Sequence, residues 1–447
     1  MVARVVVAGT ASGVGKTTLT VGLARALHGR GLRVALFKCG PDYLDPSYHA
    51  RAAGSPSHNL DGWMMGRAAT VETFLRESRG SDIALIEGAM GLHDGASPSS
   101  REGSSAEIAA WLGAPVLLVV AASGMARSVA ALAHGFASFD PELQLAGLFC
   151  NRVGSASHLT LLGQACAAPL PPVLGGMLAA SAGQFPARHL GLHAADESVS
   201  EADLDRWAEQ LLAHTDLERL ISIAEGAPPL SGAAAPAVAR VARCRIGIAR
   251  DAAFSFYYPY NLALLEALGA ELVPFSPLTD SLPEVDGLYF GGGYPELHAA
   301  RLSANAALRS ALHAFAGRAR PIYAECGGLM YLSDAIVTLD DQRHPMMGLV
   351  EGSAVMQPKL SALGYVEVET QSESILGPPG LRFRGHQFRY SRFSSELAPS
   401  RYALRVRRDG SESLEGYGTG SVLASYVHAH WASNPEVAAG FVRACAS

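Results

Sequence analysis

Gly9 to Thr18 read GTASGVGKTT, a glycine-rich run that follows a short apolar stretch and leads straight into a helix-like segment, LTVGLARALHGRG. Glycines at such spacing let successive backbone amides surround phosphate oxygens, and the start of the following helix adds partial positive charge. Lys16 supplies a cation for the β and γ phosphates, and Thr17 supplies a hydroxyl for Mg²⁺. Thr10, Ser12, Gly13, Val14, Gly15 and Thr18 complete the expected ATP cradle. The spacing departs from the usual P-loop in one respect: Gly9 and Thr10 stand where the first glycine is expected at 10. A magnesium nucleotide also needs oxygen donors. Asp42 and Asp45 in KCGPDYLDPSYH and Glu87 at the end of IALIE are metal candidates, directly or through water, and Asp94 in MGLHDG is a further acid. The competing reading of these acids is helix capping, turn formation or solvated charge. Lys38, Tyr43, Tyr48 and His49 flank the acidic loop and are candidates for substrate contact or catalytic support, packing being the alternative. Asn151 in NRVG is a candidate for adenine recognition or a member of an ordinary turn.

A second chemistry lies near the other end. PIYAECGGLMYL places Cys326 between an apolar strand and a helix-like segment, with Gly327 and Gly328 allowing the tight turn that presents a nucleophile. A thiolate is intrinsically reactive when a base or a helix start favours it; a buried structural cysteine is the alternative. His428 in SYVHAHW is the expected base, and His430, two residues on, is open between orienting it and a structural place. Gly292 and Gly293 in LYFGGGYPE offer amides for the oxyanion formed when the thiolate attacks an amide.

These residues need elements to hold them. VVVAG, VALFK, IALIE, VLLVVA and LAGLFCN alternate with helix-like stretches to about residue 220, the rhythm of a parallel α/β sheet. Residues 225–243, rich in proline, alanine and glycine, predict a linker between a domain at 1–224 and a second α/β domain at 244–447. RIGIARD, ELVPFSP, GLYFGGG and RPIYAECGG open that second domain, and residues 350–428 alternate like strands.

Of 35 basic residues only Lys16, Lys38 and Lys359 are lysines, which draws attention to the two that fall at the phosphate site. A net charge of −6 gives no electrostatic reason to expect nucleic acid. MVARVVVAG reads as an immediate strand, not an export signal, and APVLLVVAA is too short to span a bilayer, so a cytoplasmic protein without a membrane partner is expected. Six cysteines without paired spacing argue against disulfides or structural zinc.

Taken in order, GTASGVGKTT, KCGPDYLDPSYH, EGAMGLHDG, NRVG, GGGYPE, AECGGLMYL and SYVHAHW resemble the cobyrinic acid a,c-diamide synthase family, which includes the hydrogenobyrinic acid enzymes of aerobic cobalamin synthesis, across essentially the whole chain. The resemblance implies a dethiobiotin-synthetase-like P-loop domain followed by a class I glutamine-amidotransferase-like α/β domain. It further implies a glutamine-hydrolysing carbon–nitrogen ligase using ATP, L-glutamine and Mg²⁺ on the a and c carboxylates of hydrogenobyrinate or cobyrinate, the former preferred. Homo-oligomerisation is left open. The wider superfamily pairs its histidine with a glutamate two residues on; here that place is His430, which reduces the implied triad to Cys326 with His428. Two rivals remain: cobyric acid synthase-like amidation of other corrin carboxylates, and a nucleotide-driven binding protein without catalysis.

Overall fold

The apolar runs of the first half become buried strands because each is flanked by helices on both sides of one sheet. In the computed structural model, which describes residues 2–179, 199–230, 239–395, 402–408 and 410–447, the chain forms two compact units, Met1–Ala235 and Pro236–Ser447. Residues 231–238 of the expected linker lie outside the described residues.

In the first unit the strands are β1 (Ala3–Gly9), β2 (Val34–Cys39), β3 (Ser57–Leu60), β4 (Ile83–Glu87), β5 (Val116–Ala121), β6 (Leu145–Val153) and β7 (Val173–Leu178). They pair in the order β3-β2-β4-β1-β5-β6-β7, all parallel. Helices α1 (Lys16–Gly29), α2 (Leu44–Ala53), α3 (Gly62–Glu77), α4 (Ser105–Leu112), α5 (Ser128–Phe139) and α6 (Ala156–Ala165) supply crossovers. Alternation along β1 feeds two cores: Val5 and Val7 pack with Leu23 and Trp207 on one face, Val6 and Ala8 with Phe37 and Phe74 on the other. The phosphate-loop candidates, the acids and Asn151 lie at or just beyond the carboxyl ends of β1, β2, β4 and β6, the edge where ligands bind in such sheets.

The second unit contains β8 (Cys244–Ala249), β9 (Ala270–Phe275), β10 (Gly287–Phe290), β11 (Ile322–Glu325), β12 (Ser333–Val337), β13 (Arg343–Pro345), β14 (Val350–Met356), β15 (Ala362–Thr370), β16 (Arg382–Arg389), β17 (Ser391–Ser394), β18 (Tyr402–Arg408), β19 (Ser411–Thr419), β20 (Val422–Ser425) and β21 (His428–His430). A ten-stranded sheet runs β21-β16-β15-β18-β19-β20-β11-β10-β8-β9, while β13-β12-β14-β17 form a separate four-stranded sheet. From β9 to β20 the large sheet is parallel; from β20 to β21 it is antiparallel. Although β20, β19, β18, β15 and β16 intervene between them, β11 and β21 meet: Glu325 at the end of β11 accepts the Ala429 N–H at 3.1 Å. The antiparallel extension therefore curls back over the end of the nucleophile strand. No described helix is long and apolar enough to cross a membrane, and all six cysteines are buried and unpaired.

Candidate functional site

The loop after β1 turns through Gly13 at φ 74° and Gly15 at φ 103°, conformations that cost a residue with a Cβ but not glycine. Gly15 also has no room: a Cβ there would fall 2.0 Å from Asn151 Nδ2. Asn151 donates to the Val14 carbonyl at 2.8 Å and Arg152 to the Gly13 carbonyl at 3.0 Å, so the end of β6 braces the loop from below. An adenine contact by Asn151 would use the amide hydrogen that Val14 does not take or the second lone pair of Oδ1, which already accepts the Arg152 N–H. Ser12 and Gly13 stand exposed at the mouth, with Thr10, Thr17 and Thr18 half-buried around it. The Lys16 ammonium lies over the loop, donating to the carbonyls of Ala11 at 3.1 Å and Met90 at 2.5 Å.

Beneath the loop is a buried network of charge. Lys38 and Glu87 face each other in register across β2 and β4. The Lys38 ammonium reaches Glu87 Oε1 at 2.9 Å, Asp45 Oδ2 at 2.8 Å and the Gly88 carbonyl at 3.0 Å. Glu87 Oε1 also accepts the Thr17 hydroxyl at 2.7 Å, and its Oε2 lies 2.6 Å from His49 Nε2, whose other nitrogen meets Ser57 Oγ at 3.0 Å. Burial pulls the Lys38 ammonium down, but Asp45, Glu87 and Asp42 outweigh it and hold the group above its ordinary value. Burial likewise favours a neutral Glu87; Lys38 and His49 overcome it and keep the carboxylate charged.

These contacts sort the candidates. Lys38, Asp45, His49, Glu87 and Thr17 come together. Tyr48 is a member of the first unit's hydrophobic core, which favours the packing alternative over substrate contact. Tyr43 precedes α2 and is half-buried. Asp42 caps the start of α2 through Oδ1, which accepts the N–H groups of Leu44 and Asp45, while Asp94 accepts the Gly91 N–H at 2.9 Å and is exposed. Among the described residues no group of three or more His, Cys, Asp or Glu side chains is arranged to hold a metal ion by itself. The oxygen donors of Thr17 and Glu87, 2.7 Å apart, fit a hard divalent ion completed by nucleotide oxygens and water. Glu87 and Asp45 both already hold the Lys38 ammonium, so either would serve such an ion by sharing its carboxylate or through water.

In the second unit Cys326 sits at φ 47° between β11 and the helix Gly327–Leu332, a strained conformation for a non-glycine residue. Its N–H is held by the Ser425 carbonyl at 2.7 Å, and Gly328 donates to the Gly291 carbonyl at 3.0 Å. Gly328 is required by contact, since a Cβ there would lie 2.5 Å from the Phe290 carbonyl oxygen, and Gly327 is tightly placed, a Cβ on it falling 3.1 Å from Gly293 N. His428 flanks the same turn, since a Cβ on Gly292 would meet its Cε1 at 2.5 Å. Cys326 and His428, the candidate nucleophile and base, thus both flank Gly291–Gly293. Burial first, then Glu296, pushes the Cys326 thiol up to about 12, with Arg389 opposing. Burial and neighbouring His386 hold His428 well below its usual range, which keeps its imidazole neutral, and the Cys326 thiol lies 3.9 Å from the Phe388 carbonyl.

One expectation needs correction and one open choice is narrowed. The Gly292 N–H is already donated to the Phe256 carbonyl at 3.2 Å, which removes it from the oxyanion candidates; Gly293, beside Gly327, keeps the better position. His430 is buried between the rings of Tyr258 and Tyr260, at 4.6 and 5.4 Å, and among the described residues neither of its nitrogens has a hydrogen-bond partner, so it does not orient His428 by a hydrogen bond. Other residues were not singled out from the sequence. His386 stacks on His428 at 5.0 Å from the adjacent strand. Glu325 is fully enclosed with its carboxyl bonded by two tyrosines. A charged residue closing the apolar strand IYAE was the available signal for Glu325; His386 offered none, because its pairing with His428 is long-range.

Comparison with known proteins agrees with this division. Residues 5–189 match the CobQ/CobB/MinD/ParA nucleotide binding domain and residues 245–436 the CobB/CobQ-like glutamine amidotransferase domain. The chain is 51% identical to a cobyrinate a,c-diamide synthase of Leptospira interrogans, covering 99% of this chain and 98% of the relative. It is 48% identical to the same-named protein of Syntrophotalea carbinolica, again over 99% and 98%, and 41% identical to that of Methanothermobacter thermautotrophicus, over 98% and 99%. A solved glutamine amidotransferase covers 45% of this chain and 99% of its own at 17% identity and a TM-score of 0.34, too slight a likeness to carry an argument. With both domains matched and relatives aligned from end to end, the chain belongs to the cobyrinate a,c-diamide synthase family and is a glutamine-dependent amide ligase.

Proposed function

We propose that the protein converts the a and c carboxylates of a corrin tetrapyrrole to carboxamides, using ATP to activate each acid and glutamine as the nitrogen source. The observation that carries this reading is the presence, in one chain, of a braced phosphate loop over a buried Lys38–Glu87 pair and a strained Cys326 turn beside His428. In the second unit Cys326 Sγ attacks the glutamine amide carbon as its proton passes to His428. The C–N bond then breaks as that proton reaches the departing nitrogen, leaving a glutamyl thioester and ammonia, and water releases glutamate. Gly293 is the amide best situated to stabilise the oxyanion.

In the first unit a corrin carboxylate oxygen attacks the γ phosphorus of ATP, giving an acyl phosphate and ADP. Ammonia displaces phosphate from the acyl carbon to form the amide. Lys16 leaves its loop carbonyls for the phosphates and stabilises charge as the phosphoryl group moves. Lys38 keeps Asp45 and Glu87 charged and fixed, and Glu87 holds the Thr17 hydroxyl in place. Magnesium, held through Thr17 and water, would supply further charge neutralisation on the phosphates.

The relatives' names favour cobyrinate over the metal-free hydrogenobyrinate. Incubation of each corrin with ATP, Mg²⁺ and glutamine, followed by mass spectrometry and positional analysis, tests the reading. The expected product is the a,c-diamide. Amidation only of an already a,c-diamidated corrin would replace this reading with cobyric acid synthase-like chemistry, and no glutamate release with any corrin would reject catalysis.

A further inference from the structure

We infer that Glu325 is a positioning residue for glutamine hydrolysis: its buried carboxyl accepts the Ala429 N–H between His428 and His430 and so sets the approach of His428 to Cys326. The inference rests on the proposed reading of Cys326 and His428 as nucleophile and base.

β21 is a three-residue edge strand, and an edge strand that short has little ladder to hold it. On one side it pairs with β16, His428 opposite His386 and His430 opposite Arg384. Ala429 turns its backbone groups the other way. Its N–H goes to Glu325 Oε1 at 3.1 Å, and its carbonyl accepts Asn261 Nδ2 at 2.7 Å, while Asn261 Oδ1 accepts the Trp431 N–H at 2.9 Å. Two enclosed side chains thereby complete the strand's outer edge.

The Glu325 carboxyl is itself aimed. Tyr323 donates to Oε1 at 2.9 Å and Tyr289 to Oε2 at 3.0 Å, and both rings pack against Trp431, just beyond β21. Because Glu325 immediately precedes Cys326, the contact ties the nucleophile's strand directly to the histidine's strand. Neither ring nitrogen of His430 has a hydrogen-bond partner among the described residues, so that side chain does not duplicate the tie. Burial pushes the Glu325 carboxyl up to about 7 against the hydrogen bonds it accepts, and an amide of the same shape keeps one oxygen for the Ala429 N–H provided the Tyr289 hydroxyl turns to accept from its NH2. Proton transfer demands heavy-atom approach of about 2.6–3.2 Å, and a misplacement of about 1 Å costs on the order of 100-fold in rate. Loosening β21 should accordingly reduce turnover without weakening glutamine binding.

The test uses the full chain and compares glutamine with a γ-glutamyl p-nitrophenyl ester, whose leaving group departs without a proton. Glu325→Leu is expected to lower kcat for glutamine by about 30–100-fold with KM within about threefold. Its deficit on the ester should be at least about fivefold smaller, because one of two His428 proton transfers is no longer needed. Glu325→Gln, which can still accept the Ala429 N–H, rescues kcat to within about threefold. Equal deficits on amide and ester, undiminished glutamine turnover in the Leu variant, or a Gln variant as impaired as Leu would overturn the inference. Should Glu325→Leu fail to fold, as read by thermal melting, Tyr289→Phe with Tyr323→Phe removes the two donors that aim the carboxyl. The same kcat-selective loss supports the inference there, and unchanged kcat overturns it. Failure of the underlying reading is distinguishable, since Cys326→Ala would then hydrolyse glutamine normally.

Discussion

At the scale of single residues, two side chains separate the two halves of the reaction. Cys326→Ala removes the nucleophile that releases ammonia but touches nothing in the phosphate loop, so glutamine-dependent synthesis should fall by at least about 1000-fold while synthesis from supplied ammonium stays within about twofold. Lys16→Ala should lower both by about 100-fold or more, because the phosphoryl charge is common to them. Product assays with each nitrogen source decide it, and equal losses from both substitutions would refute the separation. The Cys326 thiol adds a pH prediction. With the thiol pushed up to about 12, little thiolate exists at neutral pH, and each unit of rising pH increases it about tenfold, whereas an ordinary thiol near about 8.5 levels off above that value. Iodoacetamide labelling of Cys326 without glutamine, followed by peptide mass spectrometry from pH 7 to 10, should therefore rise throughout; a plateau near pH 9 would contradict it. The motif residues were legible because their chemistry depends on local spacing. Glu325 was not, because its meaning lies in which backbone N–H it meets.

At the scale of elements, adjoining strands of the first unit carry the paired charges that fix its site. Lys38 on β2 and Glu87 on β4 are neighbours only because those strands pair, and Asp45 joins them from α2. Lys38→Met would leave two buried carboxylates without their cation, a change that costs about 3–5 kcal/mol of stability in comparable buried pairs. Urea unfolding followed by circular dichroism measures it, and a loss below about 1 kcal/mol would show that the carboxylates find other compensation. Five of the first unit's strands were legible as apolar runs. β3 (SHNL) and β7 (VLGGML) were not, since the first is mostly polar and the second diluted by glycine; pairing with β2 and β6 makes them strands. The alternation expected in 350–428 appears as β14 to β20, but how those strands are ordered depends on contacts far apart in sequence.

At the scale of the whole molecule, each unit has its own buried cores, around one sheet in the first unit and two in the second. Residues 236–447 expressed alone should then fold and release glutamate from glutamine, because Cys326, His428 and Glu325 all lie within them. A cooperative melt together with Cys326-dependent glutamate release is the expected result; an unfolded fragment would show that its core needs the rest of the chain. The sequence by itself determined the pairing of two chemistries, the phosphate loop, the nucleophile turn and the α/β class, since each is encoded in adjacent residues and in strand periodicity. Tertiary structure alone decided that Lys38 and not solvent neutralises Asp45 and Glu87, that Tyr48 belongs to the core, that Gly292 is already bonded, and that Glu325 reaches β21. Those facts depend on strand order and the curl of a sheet, which bring together groups that no local spacing relates.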